Sequence, residues 1–452
     1  MPYGSIIYVV RERSFALCPE NIKSEVFLML TSIVGINWGD EGKGRMVDLL
    51  SSDYDVVVRY QGGNNAGHTV INERGKFILN LLPSGILREN VVNVMGNGMV
   101  VDIKHLCGEI AKLREAGVKI TPDNLKISDK AVICMPYNVL QDQMEEARLK
   151  DKKFGSTMRG IAPIYADKYL KKAFRMGELR EFDKLKERLN GIVEWKNLTI
   201  AGAYGHEPVK YEDMVKYFEE YGLCLTDYIV DTSLYLDSAA KSGKKIMFEA
   251  QLGALRDIDF GIYPYTSSSS TISAYAPIGA GIPNHKLDKA IGIMKAYSTC
   301  VGEGPFTSEY FGEKAEKLRK AGGEYGAATG RPRRVGAFDA VASKYGVRMQ
   351  GATEVAITKL DVLTGFDELE VCVAYELDGK QTKDFPFSAD LDRCKPVIVK
   401  MKGWKEDISG CRKKEDLPEN AIKYIEFIEK ETECNVTYVS VGAEREEYLK
   451  FR

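Results

Sequence analysis

Gly35-Ile-Asn-Trp-Gly-Asp-Glu-Gly-Lys-Gly-Arg-Met-Val-Asp48 is the stretch around which the chain is organised. Ile33 and Val34 close a short apolar run before it, which reads as a buried strand. Met46, Val47, Leu49 and Leu50 after it are spaced for a helix packed on that strand. Between them, Gly39, Gly42 and Gly44 surround a lysine and two acids. A strand that empties through glycines into a helix N-terminus points free backbone N–H groups at one spot, and that spot attracts phosphate. The stretch is not a Walker loop. That motif needs a further glycine upstream, where Asn37 stands, and a serine or threonine after the lysine, where Gly44 stands. A phosphate site without that hydroxyl draws its metal ligand from elsewhere, and Asp40 is the nearest carboxylate.

Outward from this loop, Asp55-Val-Val-Val-Arg-Tyr60 reads as a second buried strand, and it opens into Gln61-Gly-Gly-Asn-Asn-Ala-Gly-His68. Two parallel strands releasing glycine loops at one sheet edge make a shared crevice, the usual ligand site of open α/β sheets. His68, at the tip of the second loop, can donate to a developing oxyanion or phosphate. Thr69 to Leu82 alternates and reads as a hairpin turning at Glu73-Arg-Gly75, and Gly96-Asn-Gly98 ends another strand. Helical spacing runs over Ile103 to Ala116 and Tyr137 to Lys150, and residues 167–240 read as charged and mostly helical. Lys244 to Glu249 returns to a core strand. Gly155-Ser-Thr-Met-Arg-Gly-Ile-Ala-Pro163 reads either as a further phosphate contact or as a plain loop, and Tyr263-Pro-Tyr-Thr-Ser-Ser-Ser-Ser-Thr271 is a hydroxyl-rich loop too regular for a linker.

Gly326-Ala-Ala-Thr-Gly-Arg-Pro-Arg-Arg334 sets arginines beside glycines, which lets the backbone approach a ligand while guanidinium groups fork onto carboxylate or phosphate. Val355-Ala-Ile-Thr-Lys-Leu-Asp361 ends a strand with Lys359 and Asp361 on one face. A carboxylate there can accept both N–H donors of a guanine edge, which adenine lacks. Val371 to Phe385 reads as a hairpin turning at Asp378-Gly379. Next, a helix is expected with Asp416 as N-cap, Pro418 in its first turn, Glu419 in capping-box position and Ile422, Ile425 and Ile428 on its buried face. A last strand, Val436 to Val441, ends at Gly442.

The formal net charge of -2 on 452 residues excludes a nucleic-acid binder held by general electrostatics, so any anion site is a local cluster. No apolar run approaches the length of a membrane span. Nine cysteines, an odd number without a C-x-x-C pair, point to free thiols and away from a disulfide framework or a zinc site. Residues 1–28 show no ordered signal-peptide pattern, and Met29 sits immediately before the first core strand. The expected division is an extension of unknown role over 1–28 and one catalytic domain with helical insertions over 29–452.

Gly-Asp-Glu-Gly-Lys-Gly at 39–44, Gln-Gly-Gly-Asn-Asn-Ala-Gly-His at 61–68, Ala-Thr-Gly-Arg-Pro-Arg-Arg at 328–334 and Thr-Lys-Leu-Asp at 358–361 together resemble the adenylosuccinate synthetase family, in order and spacing, from about Met29 to the C-terminus. The resemblance implies an α/β fold with a large, mainly parallel central sheet, surrounding helices and P-loop-like glycine loops. It implies a cytoplasmic homodimer, Mg²⁺, and the conversion of GTP, IMP and L-aspartate to GDP, phosphate and adenylosuccinate through a 6-phosphoryl-IMP intermediate. It makes Asp40 the base and a metal ligand, His68 and Lys43 catalytic, and the Gly67 carbonyl part of the metal shell. GTP is assigned to Gly39, Asp40, Glu41, Gly42, Lys43, Gly44, Arg45, Gly67, His68, Thr69, Arg333, Lys359, Leu360, Asp361, Ser440, Val441 and Gly442. IMP is assigned to Asp40, Glu41, Gly42, Lys43, Asn65, Ala66, Gly67, His68, Thr157, Lys171, Gln251, Thr266, Ser267, Val301 and Arg331. L-Aspartate is assigned to Ala327, Ala328, Thr329, Gly330, Arg331, Pro332 and Arg333.

The chain departs from the family's usual pattern in places. Glu249-Ala-Gln-Leu-Gly253 shifts the IMP-contacting glutamine to Gln251, the threonine of the Tyr-Pro-Tyr loop is displaced to Thr266 or Ser267, and Ala328 replaces a threonine. Lys171 stands where an arginine reaches the neighbouring subunit's IMP. Other readings are a relative acting on another purine monophosphate, such as the phage branch that aminates dGMP, against which Asp40 speaks; a GTP-binding switch, which needs neither the arginine loop nor His68; and a metabolic scaffold without activity.

Overall fold

Short, largely buried runs assemble one ten-stranded sheet. The computed structural model describes residues 29–72, 75–150, 153–326, 330 and 332–452. The expectations for residues 1–28 and for Glu73 and Arg74 lie outside them. In chain order the strands are β1 (Leu30–Gly35), β2 (Val56–Arg59), β3 (Val92–Met95), β4 (Leu125–Ser128), β5 (Ile229–Val230), β6 (Ile246–Gly253), β7 (Lys289–Lys295), β8 (Glu354–Thr358), β9 (Val436–Ser440) and β10 (Tyr448–Lys450). Across the sheet they lie in the order β5-β4-β3-β2-β6-β1-β7-β8-β9-β10. Every pairing is parallel except that of β9 with β10. β1 and β2 are buried along their whole length, as parallel strands covered on both faces must be.

From β1 the chain steps outward through β2 to β5, then returns so that β6 fills the place between β1 and β2. β7, β8 and β9 step outward on the other side. The direction of winding therefore reverses at β1, and loops leaving the carboxyl ends of β1, β2, β6, β7, β8 and β9 face one crevice.

The helix Lys43–Leu50 closes over β1 by packing Met46 and Val47 on Ile33, Val57, Met247 and Ile291. The helices Ile103–Glu115, Pro136–Leu149, Ile161–Tyr169, Phe182–Tyr204, Tyr211–Tyr221 and Thr232–Lys241 occupy the segment between β3 and β6, as its helical spacing predicts. Asp102 and Asp231 begin two of them by accepting from His105 N (2.9 Å) and Leu234 N (3.1 Å), each cap stabilising by about 1 kcal/mol. His68–Asn72 pairs with Gly75–Leu79 as the expected hairpin. Glu368–Leu377 and Lys380–Thr382 form the other, with Asp378 and Gly379 both at positive φ (49° and 80°), the conformation a two-residue hairpin turn requires.

One expected helix start is corrected. The helix begins at Glu419 with Pro418 as its N-cap, because the Asp416 carboxylate turns back to accept from Arg412 N (3.0 Å) and Lys413 N (3.2 Å). Ile425 and Ile428 are fully buried on it and Ile422 is partly so. Strands Lys395–Lys402 and β10 were not foreseen; the first alternates weakly and the second follows its partner too closely to stand out. Among the described residues no helix is long and apolar enough to cross a membrane, and the eight described cysteines are free thiols.

Candidate active site

Three non-glycine residues at the rim of the crevice hold left-handed backbone conformations: Asp40 after β1 (φ 65°), Leu252 at the end of β6 (φ 59°) and Lys359 after β8 (φ 62°). Such positions are uncommon outside glycine and concentrate where the surrounding structure fixes functional side chains. In the first loop the surrounding structure is Glu41. Its buried carboxylate accepts from Asn37 N (3.1 Å) and Gly39 N (2.7 Å) and pairs with Lys43 Nζ (2.8 Å). Glu41 is thus the internal brace of the loop, and Gly42, at φ 92°, starts the helix whose N-terminus faces the crevice. Thr358 Oγ1 donates to Glu41 O (2.7 Å), tying this loop to β8.

Asp40 is left half-buried beside two cations. Its Oδ2 lies 3.0 Å from Arg333 Nε and 3.4 Å from Lys295 Nζ. Both cations share a second, fully buried acid: Glu324 meets Lys295 Nζ at 2.8 Å and Arg333 Nη1 at 2.9 Å, and accepts from the Tyr297 hydroxyl (2.5 Å). Burial alone would raise the Glu324 carboxyl, but Lys295 and Lys359 hold it down at about 2.

His68 arrives from the second glycine loop. A Cβ on Gly44 would come within 2.6 Å of the His68 Cβ, so only glycine lets the loop seat against the helix N-terminus. The His68 ring is buried, and its Nδ1 bonds to Oε1 of Glu249 on β6. Glu249 also accepts from Ser84 N (2.7 Å) and Ser84 Oγ (2.6 Å), and it lies in register with Arg59 on β2. Burial works against ionising Glu249, yet His68, Arg59 and Ser84 keep its carboxyl below the usual range. Burial pushes the imidazole down, against the pull of Glu249. With Nδ1 engaged, Nε2 is the ring nitrogen left to meet a ligand. In the same loop Gly67 and Thr69 are exposed, Ala66 O accepts from Asn80 Nδ2 (3.0 Å) and Asn65 Oδ1 from Gly63 N (3.1 Å). The buried Tyr165 hydroxyl accepts from Gly62 N (2.9 Å) and fixes the loop's base.

At the far end, Lys359 Nζ donates to Gly322 O (2.7 Å). Asp361 keeps a buried oxygen, Oδ1, without any hydrogen-bond partner, and burial pushes its carboxyl up. An orphaned buried acceptor of this kind is costly unless a ligand satisfies it. Arg45 crosses from the first helix to Ser440 Oγ (2.6 Å), Gly442 O and Glu447 O (3.2 Å), which brings the turn after β9 to the same end. Leu360 and Val441 are fully buried, and their N–H groups donate within the protein, to Ser440 O (3.2 Å) and Glu447 O (2.9 Å).

A further wall is organised by Arg256, which sequence reading missed. Its guanidinium donates to Val301 O (2.6 Å) and Tyr265 O, while its carbonyl accepts from Ser267 N (2.8 Å). Thr266, Ser267 and Val301 are therefore held together. The loop carrying exposed Thr157 lies against them through the Phe154–Tyr265 ring contact, and is pinned by Asp142 and Glu146. Gln251 is elsewhere: it is fully buried, and its amide donates to Gly63 O (2.6 Å) and Asn80 O (3.3 Å), so its side chain braces the second glycine loop from behind. Leu252, partly exposed beside Gly39, occupies the rim in its stead. Lys171 is exposed in the turn after the helix Ile161–Tyr169. Gly330 and Pro332 are exposed, whereas Ala327, Ala328, Thr329 and Arg331 lie outside the described residues.

Lys295, Glu324 and Glu249 also went unread in the sequence, and one signal marks two of them. Glu249 interrupts, and Lys295 ends, a strand that is buried throughout or nearly so. A charge in that setting must find a partner, and at a strand's carboxyl end that partner lies in the crevice.

Comparison with known proteins places the whole chain. The sequence profile described as adenylosuccinate synthetase matches residues 32–449. The chain is 44% identical over 416 residues to the adenylosuccinate synthetase of Ligilactobacillus salivarius, covering 92% of this chain and 96% of that one. It is 44% identical over 426 residues to that of Caldanaerobacter subterraneus subsp. tengcongensis, covering 94% of this chain and all of the relative. The solved structure of fully ligated adenylosuccinate synthetase from Plasmodium falciparum superposes with a TM-score of 0.87 at 36% identity, over 93% of this chain and 99% of that one. With its fold and nearly its whole length shared with them, the chain belongs to the adenylosuccinate synthetase family.

Proposed function

We propose that Asp40 and His68 carry the chemistry of this synthetase from opposite sides of the crevice, each held by a partner of opposite charge. The reaction is that of the family: GTP, IMP and L-aspartate give adenylosuccinate, GDP and phosphate, the step that commits IMP to AMP synthesis. The observation that carries the assignment of roles is the pair of fixed groups, Asp40 against Arg333 and Lys295, and His68 against Glu249. The oxygen on C6 of IMP is a poor leaving group, and phosphorylation makes it a good one. Asp40 takes the N1 proton of IMP, and the 6-oxygen attacks the γ-phosphorus of GTP in line, releasing GDP. His68 Nε2, Lys43 and the amides of the first loop stabilise the transferring phosphoryl group, and Glu249 supports the imidazole as it carries a proton there. The L-aspartate amine then displaces phosphate from C6 of 6-phosphoryl-IMP. The arginine loop, from Ala327 to Arg333, receives the aspartate. Asp361 accepts from the two guanine donors and Lys359 lies over the ring.

Among the described residues no group of three or more His, Cys, Asp or Glu forms a metal cage. That suits Mg²⁺, which takes one or two carboxylates plus substrate phosphates. Asp40 and the exposed Gly67 carbonyl are the oxygen donors that would hold it, and the ion supplies neutralisation of phosphate charge when bound. The catalytic unit spans residues 29–452 and works in the cytoplasm. A homodimer is the expected assembly: Tyr169 and Leu170, 80% and 56% exposed, and the neighbouring Lys171 form a surface suited to a second copy, with Lys171 toward the partner's IMP phosphate.

The test is phosphate release that requires IMP, GTP and L-aspartate together; release with GTP alone would reject the assignment of roles. For the shared site, Asp40→Asn and Lys171→Leu protomers are mixed and allowed to exchange. One mixed-dimer site then carries neither defect, so equal amounts restore about a quarter of wild-type activity. No restoration despite proven exchange removes Lys171 from the neighbour's site.

A further inference from the structure

Lys295 is the last residue of β7, in the strand next to β1, and its ammonium is buried at the crevice floor among oxygen atoms of three side chains. Its partners are Glu324 Oε1 (2.8 Å), Thr299 Oγ1 (3.1 Å) and Asp40 Oδ2 (3.4 Å). Glu324 is itself fixed on every side: by Lys295 and Tyr297 at Oε1 and by Arg333 at Oε2. Glu324 supplies the carboxylate that a buried ammonium needs as a partner, and the same ammonium reaches Asp40. Asp40 needs such a hold, because its backbone is left-handed and its side chain is bonded to nothing within its own loop. Among the described residues, both cations on Asp40 address the same oxygen, Oδ2.

We propose that Lys295, secured by Glu324 and Thr299, is a positioning residue of this reaction: it anchors Oδ2 of Asp40 so that Oδ1 is aimed at the substrate. The inference rests on Asp40 being the base. Arg333 cannot do this alone, since it lies in the aspartate-binding loop and is given a second duty when L-aspartate arrives. Lys295 comes from a central strand of the sheet and stays where it is. The Lys295–Glu324 pair thus holds Asp40 from the sheet, and Arg333 holds it from its own loop.

The experiment compares Lys295→Met, Lys295→Arg, Glu324→Gln and the Lys295→Met/Glu324→Gln double variant in steady state, with Asp40→Asn alongside. Calorimetric binding of GTP and of IMP and thermal melting are measured on each. Misaiming a reacting group typically costs about 10²-fold. Lys295→Met is expected to lower kcat by about that factor while KM and the measured affinities stay within about threefold, because aim is lost and binding is not. Lys295→Arg recovers at least tenfold of the loss, since it keeps a cation on Oδ2. Glu324→Gln is also slowed, and the double variant is no worse than the slower single one, because both act through one atom. If Lys295→Met does not fold, the Lys295→Arg and Glu324→Gln variants decide: both at wild-type kcat overturns the proposal. It is also overturned if Lys295→Met keeps kcat within threefold, if only KM changes, or if Lys295→Arg is as slow as Lys295→Met. An active Asp40→Asn instead rejects the base itself, which separates failure of that assignment from failure of this one.

Discussion

Asp40 and His68 face the same crevice with opposite constructions. Asp40 is an acid held by two bases, half open to solvent, on a loop whose backbone is strained. His68 is a base held by an acid, fully enclosed, in a loop seated by a glycine contact. In each case the partner comes from a strand far away in sequence: Lys295 from β7 for the acid, Glu249 from β6 for the base. A group that must take a proton from a substrate needs access; a group that must meet a phosphoryl oxygen needs enclosure. The sheet supplies both by placing one loop at the rim and the other against a helix N-terminus.

The sharpest break in the comparison is Asp40→Asn, which removes the acid and leaves its two cations facing a neutral amide. Loss of a base alone costs about 10²–10⁴ in rate, and kcat is expected to fall by at least that range with the fold intact by circular dichroism; activity within tenfold of wild type rejects the role. On the other side, His68→Asn removes a donor aimed at the transferring group and is expected to cost about 10²–10³ in kcat. Glu249→Gln should fall between His68→Asn and wild type, since it keeps the ring's seat but withdraws the carboxylate. If Glu249→Gln matches Asp40→Asn in severity, the acid is more than an orienting partner.

A third substitution contrasts chemistry with recognition. Asp361→Asn leaves both catalytic pairs untouched and should lower the preference for GTP over ATP by at least tenfold in kcat/KM while kcat with GTP changes little. The same change should make the ligand-free protein more stable. The Asp361 carboxyl is raised by burial, so the folded chain binds its proton more tightly than the unfolded chain does. Stability therefore falls as pH rises from the unfolded value through the folded one, and the penalty is in full force at neutral pH. Removing it is expected to raise Tm at pH 7 by about 1–2 °C, with no gain once the pH is taken below the ordinary carboxylate range. A fall in Tm at pH 7 would mean that Asp361 supports the fold. The smallest effect belongs to a chain begun at Met29, which should melt and turn over as the full chain does.

The crevice was legible in the sequence wherever a loop carried its own signal. Gly39, Gly42 and Gly44, the Gln61 to His68 run and the Thr358 to Asp361 spacing each announce a local chemistry, and the strands before them are plain apolar runs. What was not legible depends on register. Nothing local to Lys295 says that it stops beside Asp40; that follows from the pairing of β7 with β1, which sequence patterning leaves open. The placement of Gln251 depends on register in the same way. Sequence matching shifts the glutamine by one position, and on a strand one position is the difference between the crevice and its backing. β1 and β6 also fall out of step between Ile33 and Gly35, an irregularity that no pattern of apolar residues encodes.

The insertion of β6 between β1 and β2 has a consequence for how this protein comes into being. On the ribosome, β1 and β2 emerge early, but the strand that joins them follows roughly 190 residues later, about 10–40 s at a synthesis rate of about 5–20 residues per second. Through that interval two strands that end fully buried present unpaired edges toward each other and cannot close. The helical segment between β3 and β6 is made in the meantime, rich in local contacts and quick to fold. The nascent chain therefore holds a finished lobe beside an unfinished sheet, and the moment at which Ile246–Gly253 leaves the exit tunnel is when the two halves of the crevice can first become one molecule.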